Sequence, residues 1–312
     1  MVDVGAVLLI ACAAALVRGD GVAQDTRGAW GRVPRTAARQ QEQSAAGRVP
    51  SPPFASQLKD KPPAADKAKN EQDLPSSGVV EISPLIVNGT AASAGEYPYV
   101  VSIQKFGIHY CAGTIVNEDW ILTAAHCVDD ELASDLVVVA GSVRLSQGGV
   151  ARGVDYYLKH SRFNASNAYE NDIAVIKLAS PLAMSASVRT VALPAAVQHT
   201  PGGVVATVVG WGLLYTDGPT SDLLQKVDLV TFSDAACQEA LSGYPHAHNL
   251  CAGWPSGGKG HCSGDSGGPL LVSGVQVGIV SWSVKPCASQ GYPGVYIETS
   301  FFASWIRRHT QD

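Results

Sequence analysis

The chain has 312 residues, a formal net charge of −5 and charged side chains at 16% of its positions. This length is enough for one large domain or two ordinary ones with a packed apolar core. The mildly acidic balance, without a block of like charges, argues against a basic surface for nucleic acid or for an anionic membrane.

The first 23 residues have the pattern of a secretory signal peptide. Residues 4–17 (VGAVLLIACAAALV) form an apolar stretch that is too short to span a bilayer but suits a signal-peptide core. Basic residues are missing before it, and cleavage could follow Ala23 or Gly19. We expect residues 1–23 to be removed during secretion, leaving no membrane association; a buried N-terminal helix is the alternative.

Residues 24–85 differ sharply in composition from the rest of the chain. They are rich in Ala, Pro, Gln, Ser and Lys and show no sustained apolar period. Such a segment cannot bury enough apolar surface to offset the entropy of ordering it. We expect a disordered pro-segment, with a linker that has no processing role as the alternative.

From residue 86 onward, short β-branched and apolar runs are separated by Gly, Pro, Asn, Asp and Ser, which is typical of an all-β sandwich or barrel. The predicted strands are residues 99–104, 120–123, 136–140, 173–178, 204–209, 270–272, 275–281 and 294–297. Residues 301–309 have helical spacing and basic side chains in their last turn, which predicts a C-terminal α-helix.

The chain contains seven cysteines, of which Cys12 lies inside the apolar stretch of the signal peptide. An even number in a secreted chain indicates disulfides, although the residues alone leave the pairing open. No C-x-x-C pair is present, so a zinc cluster is not expected, and nothing else calls for a metal or cofactor. The six remaining cysteines are Cys111, Cys127, Cys237, Cys251, Cys262 and Cys287.

Three short motifs carry the residue types of nucleophilic catalysis. His126 lies in residues 122–127 (LTAAHC), Asp172 in residues 171–174 (NDIA), and Ser266 in residues 264–269 (GDSGGP). A serine hydroxyl is a weak nucleophile at neutral pH and needs a histidine base, which in turn needs a carboxylate to orient it. Each motif alone has an ordinary interpretation, but together they indicate a Ser-His-Asp triad.

The serine motif also fits G-x-S-x-G, the signature of α/β-hydrolases such as lipases. That fold places its acid and then its histidine after the serine. Here His309 is the only histidine after Ser266, at the end of the chain, and the alternation of strands and helices is missing. The esterase interpretation is therefore rejected.

Residues 86–312 resemble a complete chymotrypsin-family (S1) serine peptidase domain. The TAAHC, NDIA, GWG, GDSGGP, SW and PGVY motifs all occur in the family's order. The resemblance implies an all-β, trypsin-like double β-barrel with the triad in the cleft between the barrels. It also implies a secreted, monomeric serine endopeptidase that acts on proteins or peptides through an acyl-enzyme, with proteinaceous serine-protease inhibitors as further partners and no nucleic acid.

The family's known chemistry implies the roles of the site residues. Ser266 attacks the scissile carbonyl, His126 takes and returns the proton, and Asp172 orients His126. Ser281 is expected to hydrogen-bond to Asp172, and the backbone amides of Gly264 and Ser266 to form the oxyanion hole. A glycine suits this place because the backbone approaches the substrate closely in an unusual conformation.

The resemblance also implies three disulfides that brace the histidine loop and both walls of the specificity pocket: Cys111–Cys127, Cys237–Cys251 and Cys262–Cys287. Residues 141–153 correspond to a loop that often binds calcium in trypsins. This stretch contains no Asp or Glu. Because calcium takes oxygen ligands, usually carboxylates, none is expected there.

Ile86 matches the position at which the family's mature chain begins. In the family, cleavage frees an isoleucine amine that pairs with the aspartate before the serine, here Asp265, and the pair orders the site. A buried carboxylate without such a partner would be costly. Trypsin-activated zymogens carry Lys or Arg before this isoleucine, whereas this chain carries Leu85. The activator is therefore expected to cut after Leu, or to be the protein itself.

The specificity pocket is predicted to lack a charge. Gly260 stands where trypsin has its floor aspartate, followed by His261; Ser283 and Gly294 are expected at the entrance and at an open back wall. Without a carboxylate, an Arg or Lys side chain would be left unpaired. We expect cleavage after Leu, Phe, Tyr or Met and then smaller aliphatics. If His261 points into the pocket, a polar or acidic side chain could be preferred instead.

Tyr169 falls where the family lines the S2 and S4 subsites, and Trp282 is expected to wall S3; both could equally serve packing. Asn88 and Asn164 begin N-x-S/T sequons and are candidate glycosylation sites, of which Asn164 is the better. A catalytically silent secreted binding protein on a peptidase scaffold is the alternative from another class. Such proteins usually lose a triad residue or the oxyanion glycine, and this chain keeps them.

Overall fold

The computed structural model describes residues 86–311. The expected signal peptide (residues 1–23) and pro-segment (residues 24–85) lie outside this range and stay predictions. Within residues 86–311 the predicted all-β fold is confirmed, with two six-stranded antiparallel barrels and a C-terminal α-helix. None of the helices in this range has the length and apolar composition needed to cross a bilayer.

The first barrel contains six strands in the closed order β2-β3-β4-β7-β6-β5. These are β2 (Val100–Lys105), β3 (Ile108–Ile115), β4 (Trp120–Thr123), β5 (Leu136–Ala140), β6 (Val150–Lys159) and β7 (Ala174–Leu178), preceded by the short β1 (Thr90–Ala91). β-branched side chains suit a pleated, buried surface, and Ile103, Ile121 and Ile176 form part of its fully buried core.

The second barrel runs β8-β9-β10-β13-β12-β11 and closes where β11 pairs with β8. Its strands are β8 (Val205–Gly210), β9 (Gln225–Thr231), β10 (Asn249–Gly253), β11 (Pro269–Val272), β12 (Val275–Trp282) and β13 (Gly294–Glu298), and β1 pairs with β9. Ile86, the expected new N-terminus, is fully buried in the core of this barrel together with Leu229 and Tyr296.

Within residues 86–311, two α-helices accompany the barrels. α1 (Asp234–Ala240) begins after Ser233, whose hydroxyl accepts a hydrogen bond from the N–H of Ala236. α2 (Thr299–Thr310) matches the predicted C-terminal helix. Although it follows β13 of the second barrel, its apolar face joins the core of the first barrel through Phe302 and Ile306. The helix therefore links the two barrels through its buried face.

The eight predicted strands coincide, within one or two residues at their ends, with β2, β4, β5, β7, β8, β11, β12 and β13. The sequence did not predict β1, β3, β6, β9, β10 or α1. β6 is exposed at most of its positions and so lacks a continuous apolar face. β3 contains Gly113, where a Cβ would lie 2.7 Å from Ile121, so only glycine fits there. Glycine does not favour a strand, and its presence hides β3 in the sequence.

Candidate active site

His126 and Asp172 meet beside the paired ends of β4 and β7. His126 lies in a 3-10 turn (Ala125–Cys127) after β4, and Asp172 lies two residues before β7. Thr123 of β4 pairs with Ala174 of β7, which places the turn and the approach to β7 side by side. The imidazole Nδ1 of His126 is 2.7 Å from Asp172 Oδ2, and the backbone N–H of His126 donates to Oδ1 at 2.8 Å.

Ser281, on β12 of the second barrel, supplies a further donor to Asp172. Its hydroxyl donates to Oδ2 over 2.6 Å. The Asp172 side chain is completely buried, and a buried carboxylate needs such donors to be stable. Because an ionised carboxylate only accepts, the proton of the neutral His126 ring resides on Nδ1, and Nε2 is left as an acceptor.

Ser266 lies in the turn before β11 of the second barrel. Its carbonyl accepts a 2.8 Å hydrogen bond from the N–H of Ala112 on β3. The neighbouring Cys111 is disulfide-bonded to Cys127, the residue after His126. These links tie the serine turn to the histidine turn. Within residues 86–311 no hydrogen bond joins the Ser266 hydroxyl to His126; in unliganded enzymes this bond is often long and tightens only when substrate binds.

Gly264 adopts a conformation that favours glycine, with a φ of +92°. Its carbonyl accepts a 2.9 Å hydrogen bond from Nε2 of His109, and Nδ1 of His109 accepts from the Ser102 hydroxyl, also at 2.9 Å. Burial lowers the pKa of His109, which favours the neutral ring that these two bonds require. Within residues 86–311 no acceptor takes the backbone N–H of Gly264 or of Ser266, so both amides are available to a ligand.

Asp265, between these two amides, is completely buried. Its carboxylate accepts hydrogen bonds from the N–H of Gly212 at 2.7 Å and of Cys262 at 2.9 Å. A Cβ on Gly212 would lie 2.5 Å from the carboxyl carbon, so only glycine fits there. Burial raises the pKa of Asp265 to about 6, and no cation of residues 86–311 forms an ion pair with it. The carboxylate therefore lacks the cationic partner that it was expected to have after activation.

His261 is buried against Gly294, the residue expected at the back wall of the pocket. Its Nδ1 is 2.9 Å from the Tyr296 hydroxyl oxygen, and a Cβ on Gly294 would lie 2.3 Å from its Cε1 atom. The structure thus differs from the expected open back wall: the absence of a side chain at Gly294 makes room for the imidazole. Nε2 has no partner within the described range. Burial, aided by the positive charge of Lys285, lowers the pKa of His261 to about 4 and keeps the ring neutral at pH 7.

The other residues expected to form the pocket differ in burial. Gly260 is buried and provides no carboxylate, while Trp282 and Ser283 follow Ser281 and are partly exposed. Lys285 Nζ lies 3.0 Å from the Ser263 hydroxyl oxygen, next to the Cys262–Cys287 disulfide. The described pocket residues therefore include no acidic side chain, and the ammonium group of Lys285 lies beside them.

Tyr169 lies next to the imidazole of His126. Their ring centroids are 5.4 Å apart and the planes meet at 74°, an edge-to-face contact. The side chain is 37% exposed, and its φ of +55° belongs to the left-handed region. Exposure beside His126 makes Tyr169 available to a bound ligand.

The three disulfides join the cysteine pairs that the resemblance implies: Cys111–Cys127, Cys237–Cys251 and Cys262–Cys287. Cys127 Sγ lies 3.8 Å from His126 Nε2, and these two groups with Cys111 form a cluster of potential metal ligands. Both sulfurs are consumed by the disulfide, however, so the cluster does not offer the thiolates that a metal ion would need.

Both sequon asparagines are exposed, but they differ in whether the side-chain amide nitrogen donates a hydrogen bond. Asn88 Nδ2 donates a 2.8 Å hydrogen bond to the Gly258 carbonyl. Asn164 uses its Oδ1 atom instead, accepting from the N–H of Ser166 at 3.1 Å. Because a glycan is attached to Nδ2, the geometry favours Asn164 over Asn88 as the acceptor.

Several residues near the site were missed by the sequence. His109, Lys285 and His248 carry no motif of their own, and each contacts the site through residues distant in the chain. The N–H of Asn171, the residue before Asp172, donates to His248 Nε2 over 3.1 Å. For His109 and His248 the presence of histidine in the sequence was the only signal, and it does not say which loop each histidine meets.

Comparisons with known proteins identify the family to which this chain belongs. A family model described as Trypsin matches residues 86–306. Trypsin-1 from Astacus astacus is 40% identical over 237 residues, which cover 71% of this chain and 98% of that protein. Trypsin from Phaedon cochleariae is 37% identical over 230 residues, covering 72% of this chain and 88% of the relative. Trypsin alpha from Drosophila erecta is 38% identical over 236 residues, which cover 75% of this chain and 90% of that protein.

Proposed function

Because the chain belongs to the trypsin family of serine endopeptidases, we propose that it hydrolyses peptide bonds with His126, Asp172 and Ser266 as its catalytic triad. The observation that carries this proposal is the buried Asp172 carboxylate, which accepts from both the ring and the backbone N–H of His126. That arrangement fixes the ring and the tautomer that a serine nucleophile needs. Protein substrates follow from the family.

In this mechanism Nε2 of His126 takes the hydroxyl proton of Ser266 as the oxygen attacks the carbonyl carbon. Asp172 stabilises the imidazolium ion, which then returns the proton to the leaving amine. The free N–H groups of Gly264 and Ser266 stabilise the negative charge on the carbonyl oxygen. Water repeats the sequence on the acyl-enzyme and releases the acid. The hydrogen bond from His109 to the Gly264 carbonyl supports the oxyanion turn.

We propose that the pocket selects apolar P1 side chains. Gly260 supplies no carboxylate, and Lys285 places a positive charge beside the pocket, so a basic substrate side chain meets no partner. The neutral His261 ring against Gly294 shortens the space at the back, which favours Leu and Met over Phe and Tyr. The relatives are named trypsins, and this chain departs from trypsin at the pocket floor.

We further propose that residues 24–85 form a pro-segment and that cleavage between Leu85 and Ile86 activates the domain at residues 86–312. The new α-amine would supply the cation that the buried Asp265 lacks within the described residues. A Leu at the cleavage point matches the proposed P1 preference, which permits autoactivation. The signal-like residues 1–23 and three disulfides support secretion, since disulfides persist in oxidising compartments.

The test is a comparison of the wild-type precursor and Ser266→Ala, each expressed alone and then cut at Leu85–Ile86 by an added protease. We expect processed wild type to cleave peptides after Leu, and the variant to lose at least ~10⁴-fold in kcat. A processed Ser266→Ala with near-normal activity contradicts the triad. Main cleavage after Arg or Lys in a peptide library contradicts the pocket, and unaided maturation of Ser266→Ala contradicts autoactivation.

A further inference from the structure

The segment that carries Asp172 is held through its neighbour Asn171. The Asn171 N–H donates to His248 Nε2 over 3.1 Å, and its side-chain amide donates to the Arg162 carbonyl over 3.0 Å. Its own carbonyl accepts from the N–H of Ile173 at 2.8 Å. Asn171 has a φ of +54°, in the left-handed region that asparagine adopts more often than most residues with a side chain. These bonds define the backbone immediately before the catalytic carboxylate.

His248 is built into the fold on three sides. It directly precedes β10 and is 7% exposed. Its ring lies 5.5 Å and 5.4 Å from the rings of Phe301 and Phe302 on α2, and stacks almost parallel on His246 at 5.3 Å. The ring is therefore held rigidly between the C-terminal helix and the loop before β10, with Nε2 directed at the Asn171 amide.

The hydrogen bond defines the protonation state of His248. A backbone N–H can only donate, so Nε2 must carry no proton, and the neutral ring must hold its proton on Nδ1. Burial is the main cause that lowers the pKa of His248 to about 4. The titratable groups that face it are His246, His160, Arg162 and Glu170; of these only Glu170 favours the charged ring. Protonation at Nε2 would place the ring N–H of His248 against the backbone N–H of Asn171 and break their hydrogen bond.

We propose that His248 is a positioning residue for the proposed triad: its neutral imidazole, by accepting the Asn171 N–H, fixes the backbone that aims the Asp172 carboxylate at His126. The proposal rests on the function proposed for Asp172. A shift of the carboxylate weakens the hydrogen bond to His126 without altering the pocket, so His248 acts on kcat and not on substrate binding. A displacement of about 1 Å in such a site can cost ~10²-fold in rate.

His246 offers a matched control. It stacks on His248, and its Nε2 donates a 2.8 Å hydrogen bond to the carbonyl of Asn167 in the same loop. A protonated or a neutral ring can make that bond, because a carbonyl only accepts. Asn167 is also farther along the chain from Asp172 than Asn171 is. Replacement of His246 therefore removes a stacking partner and a loop contact but leaves the Asn171 N–H bonded.

The experiment compares processed wild type with His248→Phe, His248→Gln and His246→Phe on one Leu peptide. Phe keeps the ring packing but has no acceptor, whereas the Gln Oε1 atom can accept and does not titrate. We expect His248→Phe to lower kcat by about tenfold or more with KM within about twofold. The acid limb of its kcat profile should move to lower pH, because a misplaced Asp172 stabilises the His126 imidazolium less.

Rescue by His248→Gln to within about threefold of wild type, and near-normal kinetics of His246→Phe, complete the expected pattern. A wild-type kcat and acid limb in folded His248→Phe would overturn the proposal, as would equal losses in His246→Phe. An inactive wild type would instead overturn the proposed function. If His248→Phe does not fold, the tautomer of His248 can be read from the NMR chemical shifts of its ring nitrogens in Ser266→Ala. The proposal requires the Nδ1–H tautomer at pH 7, and the Nε2–H tautomer contradicts it.

Discussion

The hydroxyl of Ser281 donates a 2.6 Å hydrogen bond to the carboxylate of Asp172. Ser281 belongs to β12 of the second barrel, whereas Asp172 precedes β7 of the first. The acid of the proposed triad is thus held from both barrels at once. Because the carboxylate is completely buried, each donor to it affects both its charge and its direction.

Loss of this bond should slow catalysis without affecting binding. In Ser281→Ala the carboxylate loses a donor that no solvent can replace, so we expect kcat to fall by about tenfold while KM stays unchanged. Ser221→Ala is the matched control, since Ser221 is also buried but lies between β8 and β9 and donates to the Leu223 carbonyl. Equal kinetics of the two variants would argue against a role for Ser281.

His261→Ser should deepen the pocket. Removal of the ring opens the space against Gly294, so kcat/KM for a Phe peptide should rise relative to a Leu peptide by about tenfold. The measurement is the Phe-to-Leu ratio at pH 8. A ratio that does not change would show that the ring does not limit the pocket.

The pKa of His261, about 4, also predicts how preference depends on pH. The ring stays neutral well above that value, so the wild-type preference for Leu over Glu peptides should be constant between about pH 5 and 8. Competition between the two peptides at several pH values measures it. A marked gain for Glu at pH 6 would mean that the ring is charged in the pocket.

Asp265 makes the uncleaved chain sensitive to pH. Its pKa is raised from 3.8 to about 6, so the folded state favours the protonated acid. This contribution to stability is present below the unfolded pKa and is lost as the pH rises through about 6. After cleavage at Leu85–Ile86, the positive charge of the new amine should stabilise the ionised Asp265, so that the cleaved form no longer loses stability as the pH rises through about 6.

The unfolding free energies of cleaved and uncleaved Ser266→Ala should therefore diverge from pH 4 to pH 7. The pKa shift corresponds to a divergence on the order of 3 kcal/mol in favour of the cleaved form. Both forms share every titrating side chain of residues 86–311, so the difference reports on Asp265 and on the groups that cleavage itself changes, chiefly the new amine of Ile86. A difference that is independent of pH is the contrary result.

Tyr169 should contribute to binding on the non-primed side of the substrate. Its exposed ring lies against His126, where a P2 side chain would pack. We expect Tyr169→Ala to raise KM several-fold for peptides with a bulky P2 residue, which corresponds to a loss of about 1 kcal/mol of binding free energy. The KM of Tyr169→Phe should stay near that of wild type. Equal KM values for peptides with P2 Gly and P2 Leu in both variants would assign Tyr169 to packing alone.

Much of the fold could be predicted because β-branched runs mark buried strands directly. β4 and β5 were predicted with their observed ends, since their apolar side chains fill the first core. β6 could not be, because its side chains are largely exposed and its place depends on backbone pairing with β5 and β7.

The motifs around His126 and Ser266 identified the candidate site, but its supports were beyond the sequence. His248 meets Asn171, and His109 meets Gly264, only because the fold brings segments from distant parts of the chain together. The contact between His261 and Gly294 is of the same kind. A glycine in isolation predicts open space, whereas the folded chain fills that space with an imidazole.

The most direct test of the central claim is covalent labelling of the processed enzyme with an organophosphorus reagent, followed by mass mapping of the modified peptide. The account predicts one stoichiometric adduct, on Ser266, and a label that disappears in His126→Ala because the hydroxyl has lost its base. An adduct on another residue, or undiminished labelling of Ser266 in His126→Ala, would contradict the account.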